Sequence, residues 1–102
     1  MKLADVTKIK GASIRLITEE AEYRYRYEEV PAKREEYRLL KEAGYGLQAY
    51  LATGRAWGQA AAYVDSLRGR EAFKLIQEIA EELRKEWHLY DAARKVLEKR
   101  CA

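Results

Sequence analysis

The sequence predicts a mainly α fold: a small helical bundle with helices over about 31–43, 46–67 and 70–100, and a β-hairpin over about 12–28. Three observations carry this. From residue 31 onward, apolar residues recur at steps of three and four, one stripe per helix. Pro31 is the single proline, so none interrupts the long C-terminal stretch. Only before residue 28 does the pattern alternate with period two. The 102 residues suffice for one domain, 1–102, with a modest core. A hydrophobic fraction of 48% and a charged fraction of 36% exclude a disordered or fibrous chain.

The N-terminal segment has two readings. Tyr23-Arg24-Tyr25-Arg26-Tyr27 alternates as a strand does, and so does Ala12-Ser13-Ile14-Arg15-Leu16-Ile17. Folding them around Thr18–Ala21 sets Leu16 against Tyr23, Ile14 against Tyr25 and Ala12 against Tyr27, all on one face. Ser13, Arg15, Arg24 and Arg26 take the other. A slip of one residue would destroy that register. The loop, however, lacks Gly and Asn. The competing reading is a helix capped by Thr18, with Glu19 and Glu20 in its first turn and Tyr23, Tyr27 and Val30 along one side. The hairpin is preferred here.

Pro31 suits the first turn of a helix. Tyr37, Leu40 and Ala43 then share a face, and Gly44 is a natural stop. The next stripe is Leu47, Tyr50, Leu51, Trp57, Ala61 and Val64. Within it Gly54, Gly58 and Ala62 recur every four residues. Each glycine weakens a helix by about 1 kcal/mol relative to alanine. The pattern therefore marks tight helix packing, a break near Thr53-Gly54, or close approach by a nucleic-acid backbone or a neighbouring subunit. Arg68-Gly69-Arg70 turns the chain into the last helix. There Phe73, Ile76, Ala80, Leu83, Trp87, Tyr90 and Leu97 form one stripe, widened by Ala72, Ile79, Ala93 and Val96. One helix is expected, with any kink near Asp91, and Trp57 and Trp87 at least half buried.

Composition narrows the function. No apolar run approaches the ~18–20 residues that cross a bilayer. The start, Met1 to Asp5, lacks the apolar stretch of a signal peptide. The lone cysteine, Cys101, makes no internal disulfide. A cytoplasmic protein without membrane contact is expected, or a virion protein under one reading below. One histidine, His88, and one cysteine build no usual zinc site, so neither metal nor cofactor is expected. His88 and Asp91 could pair on a helix as half of a general-base arrangement, but no nucleophile sits at helical spacing beside them. Gly44-Tyr45-Gly46 lacks the third glycine and the strand of a dinucleotide fingerprint. No catalytic residue is assigned, and the chain is read as no enzyme. Lack of Asn, with only three Gln and dense Glu, Lys and Arg, is the pattern of a hyperthermophile protein. Eight tyrosines against one phenylalanine favour half-wet contact surfaces.

What remains is a set of basic residues among aromatics. Twenty Lys+Arg against 17 Asp+Glu leave a net charge of +3, which permits a nucleic-acid partner without demanding one. Arg24 and Arg26 alternate with tyrosines. Arg38 lies on the short helix with Lys33, Arg34 and Lys41. Arg55 stands near Trp57, and Arg68 and Arg70 flank Gly69. Guanidinium forks match phosphates, and aromatic rings stack on bases. The plainer reading is surface charge balanced by the glutamates among them. Arg24, Arg26, Arg38, Arg55, Arg68 and Arg70 are the candidate contacts to an RNA or DNA backbone. The last three have no opposite charge four residues away.

One stretch carries a resemblance. Thr53-Gly54-Arg55-Ala56-Trp57-Gly58-Gln59 runs into Ala60-Ala61-Ala62-Tyr63. Ser66-Leu67-Arg68-Gly69-Arg70-Glu71-Ala72-Phe73 and then Leu75 to Leu83 follow, and Tyr37 to Leu40 precedes them as Tyr-x-x-Leu. Over about 35–83 this resembles the small helical subunit of type III CRISPR RNA-guided effector complexes. The chain departs from that family in having Ala43-Gly44 where a proline usually precedes the first glycine, and in its N-terminal hairpin. The resemblance implies a non-catalytic, all-helical protein. Its copies would stack head to tail along a guide–target duplex and touch backbones through basic residues, here Arg55, Arg68 and Arg70.

Three classes of function follow. The first is a nucleic-acid-binding subunit of a repeating assembly, with copies of itself or other subunits as partners. The second is a capsid or nucleoprotein subunit of a virus of a thermophile. The third is a small dimeric DNA-binding regulator that uses the basic face of the hairpin.

Overall fold

Five helices, α1 (Ser13–Tyr27), α2 (Pro31–Ala52), α3 (Trp57–Ser66), α4 (Gly69–Leu83) and α5 (Leu89–Cys101), make up the fold. They are seen in a computed structural model that describes residues 13–52, 57–85 and 88–101. Among the described residues there is no strand. α2 is the axis: α1, α3, α4 and α5 all pack against it, α1 most extensively. α4 also meets α1 and α5. Ile17 of α1, Leu47 of α2, Val64 of α3, Ile76 of α4 and Leu97 of α5 are buried in one cluster. The radius of gyration, 12.9 Å, matches the ~13 Å of a folded chain of about 100 residues.

Residues 13–27 form one helix, not the two strands of a hairpin. The physical reason lies in two patterns longer than the tyrosine alternation. Ile14, Ile17, Thr18 and Ala21 step by three and four, and the last three are buried. Arg15–Glu19, Glu20–Arg24 and Glu22–Arg26 pair at 3.0, 3.0 and 3.1 Å, a spacing that a helix brings together. Nor does Thr18 cap this helix. It lies inside it, its hydroxyl donating to the Ile14 carbonyl at 2.9 Å. Tyr23 and Tyr27 share a side as the helical reading has it, but that side faces solvent, and Val30 lies beyond the end of the helix, just before α2.

α2 begins at Pro31 as expected, with the Arg34 N–H donating to the Val30 carbonyl at 2.9 Å. It does not stop at Gly44. It runs to Ala52 and takes in the front of the expected 46–67 helix, whose back is α3. Gly44 and Gly46 are buried inside α2 because neither has room for a side chain. A Cβ on Gly44 would stand 3.0 Å from Thr18 Cβ and 3.1 Å from its Cγ2. One on Gly46 would stand 2.9 Å from the Leu89 carbonyl carbon. These glycines let α1 and α5 approach α2, and that packing offsets a helix cost of about 1 kcal/mol each. The expected break at Gly54 and the Trp57 side chain lie outside the described residues, and Ala62 is exposed. The turn into α4 falls at Leu67 and Arg68, one residue early.

The expected 70–100 helix is two helices. At the end of α4 the Lys85 N–H donates to the Glu82 carbonyl at 3.0 Å. His88 then starts α5. Its carbonyl accepts the Ala92 N–H at 2.9 Å, and its Nδ1 accepts the Tyr90 N–H at 3.3 Å. The break therefore precedes Asp91. A continuous helix over 70–100 would be roughly 46 Å long, more than the 39 Å of the molecule's longest dimension. Breaking it lets α5 fold back on α4 and α2. Trp87 lies outside the described residues.

Candidate nucleic-acid interface

A cation on a helix surface meets its own helix's carboxylates first. The structure separates the cations so neutralised from those left over. Arg38 donates from Nε to Glu35 at 2.9 Å, from Nη2 to the same carboxylate, and from Nη1 to Glu42 at 2.8 Å. The hydrogen bonds to Glu35 raise the Arg38 pKa and hold the Glu35 carboxyl below its usual range. Arg24 donates to Glu20 at 3.0 Å and lies 5.7 Å from the centre of the Tyr37 ring. Burial works against its charge, but Glu20 and Tyr37 outweigh that and raise its pKa. Arg26 donates to Glu22 at 3.1 Å. These three candidates are taken up by glutamates, and a phosphate would meet the carboxylate already there.

Arg68 is taken up differently. Its Nη1 lies 3.2, 3.3 and 3.3 Å from the carbonyls of Asp65, Ser66 and Leu67, at the C-terminal end of α3, where helix carbonyls lack partners and a cation suits the dipole. Arg70 is exposed and makes no hydrogen bond or ion pair among the described residues. Arg55 lies outside the described residues. The structure thus brings Arg68 and Arg70 together at one corner and places Arg24, Arg26 and Arg38 in ion pairs on α1 and α2.

Lys74 joins Arg70, and sequence reasoning missed it. It too is exposed and unpaired among the described residues. Glu71 stands three residues before it and Glu78 four after, so in sequence it looks neutralised. In the structure Glu78 belongs to Arg100, which donates to it from Nε at 2.8 Å and from Nη2, and from Nη1 to the Tyr63 hydroxyl at 2.8 Å. Only the return of α5 onto α4 reveals this. Arg70 and Lys74 are four residues apart on α4, so they share a face one turn apart.

Two further features give this corner its field. Arg68 is the N-cap of α4, and no side chain makes a capping hydrogen bond there, so first-turn N–H groups lack a side-chain acceptor. Arg70, in that turn, opposes the helix dipole, which favours acids there by about 0.3–1 kcal/mol. Glu71 also lies in that turn. Against its one carboxylate stand the first-turn N–H groups, the positive dipole end and the two cations unpaired among the described residues, a balance that suits an anion. Lys33 and Lys99 are also unpaired among the described residues, but Lys99 lies in the last turn of α5, where the dipole favours a cation. Arg34 and Lys41 stand 5.3 and 4.5 Å from the centre of the Tyr25 ring.

The residue with catalytic chemistry in the sequence, His88, serves as the start of α5, and Asp91 pairs with Arg94 at 3.6 Å. Among the described residues no group of three His, Cys, Asp or Glu could hold a metal ion. Among the same residues no helix is long and apolar enough to cross a membrane. No known family model, no characterised protein and no solved structure matches this chain.

Proposed function

We propose that this chain is a non-catalytic helical subunit that binds the backbone of RNA or DNA within a repeating assembly, as its resemblance to the type III CRISPR small subunit implies. The observation that supports this most is the start of α4: Arg70 and Lys74, unpaired among the described residues and one turn apart, beside a helix end without a side-chain cap. Arg24, Arg26, Arg38, Arg94 and Arg100 all have carboxylate partners within the chain. Arg70 has none among the described residues and works against the dipole of its own helix. A residue that breaks a local rule without compensation fits a use outside the chain. Contacts of this kind read charge and position rather than base sequence. Arg68 supports the corner, and Arg55 enters through its place in the resembling stretch. The exposed tyrosines of α1 favour a second reading, a capsid or nucleoprotein subunit in which contacts between copies come first.

The test is fluorescence anisotropy with a uridine homopolymer and with a DNA duplex over about 50–200 mM salt. Replacing Arg70 and Lys74 together by glutamate should reduce the salt slope of log K by about 1.4 on the single strand and about 1.8 on the duplex. Glutamate at 70 agrees with the helix dipole, so the fold should not suffer. The same change at Arg84 and Lys85 should leave the slope unaltered. Absence of salt-dependent binding, or an equal loss from the control pair, would leave the structural-subunit reading in front.

A further inference from the structure

Exposed tyrosines of the described residues gather on one face of α1. Tyr23, Tyr27 and Val30 are 62%, 66% and 48% exposed, and Tyr45 is 41% exposed. The Tyr23 and Tyr27 rings pair at 4.8 Å on the outward face of α1. Tyr45 reaches that face by donating its hydroxyl to Glu22 at 2.9 Å. Arg15, Glu19, Glu22 and Arg26 complete the stripe at helical spacing. The tyrosine pair is a ridge between two shallow grooves. Glu19, Glu22 and Arg26 line one, and Arg24 and Glu28 line the other. Exposed rings gathered on one helix face mark a contact surface.

Charge selects the occupant. On this face Arg15 pairs with Glu19 and Arg26 with Glu22 within the helix, so the face is neutral overall. The exposed Glu19 and Arg26 can extend these pairs into a network with the same pairs on a second copy. A nucleic acid would meet two carboxylates there, whereas a second copy meets the complement of what it carries itself. We infer that α1 of one copy packs antiparallel against α1 of a second copy, about a twofold axis near Glu22 and Tyr23. That arrangement sets Glu19 of each copy opposite Arg26 of the other, twice over. Each tyrosine ridge then enters the other copy's groove. A parallel arrangement would set like charges against each other. With 15 residues, α1 is roughly 22 Å long, and such a contact falls below the ~1,200 Å² of a standard interface. The dimer is therefore weak and forms at high protein concentration. This inference stands apart from the nucleic-acid reading.

Sedimentation equilibrium on the full chain, without nucleic acid and over rising concentration, tests it. The wild type should pass from monomer to dimer. Glu19→Arg sets arginine against Arg26 twice, and Arg26→Glu sets glutamate against Glu19 twice. Each change should weaken self-association about tenfold or more. Mixed in equal amounts, the two variants should associate to within about threefold of the wild-type affinity, because the mixed pair restores both contacts. Tyr23→Ser with Tyr27→Ser leaves the charges in place and should abolish the dimer, with helical circular dichroism unchanged. The inference is overturned by a wild type that stays monomeric, by a dimer indifferent to all these changes, or by a mixture no better than its components. It also fails if the two serines weaken uridine-homopolymer binding by a chain that stays monomeric, for then the rings stack on bases.

Discussion

Replacing Gly46 by alanine should destabilise the protein, although alanine is the better helix former. The helical term alone favours the substitution by about 1 kcal/mol. Against it stands the backbone of α5. The new Cβ would lie 2.9 Å from the Leu89 carbonyl carbon, 3.3 Å from Leu89 Cβ and closer still to the Leu89 oxygen. No rotamer change relieves a clash with a carbonyl, so α5 must retreat. Ala92, Ala93, Val96 and Leu97 are buried along that helix, and any retreat loosens all of them. Overpacking costs about 1–3 kcal/mol, and a backbone obstacle puts this site near the upper end. The net loss is then about 2 kcal/mol, which for a chain of this size lowers Tm by roughly 8–16 °C. Thermal melts followed by circular dichroism measure it. Gly44→Ala provides the contrast, because its obstacle is the Thr18 side chain. Adding Thr18→Ala to it should recover part of the loss, whereas Gly46→Ala has no such partner. A Gly46→Ala protein that melts at or above the wild type would refute the seating of α5 on α2 at this residue.

Other outcomes follow from single contacts. Arg100→Met removes the tie from α5 to Glu78 and Tyr63 and should cost about 1 kcal/mol, since the pair is partly exposed; chemical denaturation reads this. His88→Ala removes the acceptor for the Tyr90 N–H and should cost about 0.5 kcal/mol, with nucleic-acid binding unchanged; loss of binding at wild-type stability would return His88 to the functional residues. Burial raises the Tyr50 pKa, so the folded state favours the neutral phenol. Its contribution is complete below the usual tyrosine range, near pH 10, and is lost as pH rises from there through the folded pKa. Tyr50→Phe should therefore lose less stability between neutral and alkaline pH than the wild type; an equal loss in both would contradict the assignment.

The helical stripes of α2, α4 and α5 were legible because they bury one side of each helix, and apolar spacing records that directly. The ends were not, because tertiary contacts set them. Gly44 reads as a stop until Thr18 is seen against it. The break between α4 and α5 is invisible to periodicity, since Ile76, Leu83, Tyr90 and Leu97 keep a seven-residue step straight across it. In α1 the alternating tyrosines compete with the three Arg–Glu pairs and the Ile14, Ile17, Thr18 and Ala21 stripe, and these two patterns report backbone geometry over more than one turn. The candidate site was legible in part. Arg55, Arg68 and Arg70 share the lack of an acid four residues away, and among the described residues Arg70 makes no ion pair. Arg24, Arg26 and Arg38 have glutamates within one turn that account for them. Lys74 could not be found from sequence, because Glu78 looks available until Arg100 folds onto it.

Receipt of phosphate at the start of α4 is tested most directly by amide chemical-shift mapping of the isotope-labelled protein during titration with a uridine homopolymer. The largest shifts should fall on the N–H groups of Gly69, Arg70 and Glu71 and on residues near Lys74, and they should fade as salt is raised. Shifts confined to α1 and the start of α2, or none at low salt, would contradict it.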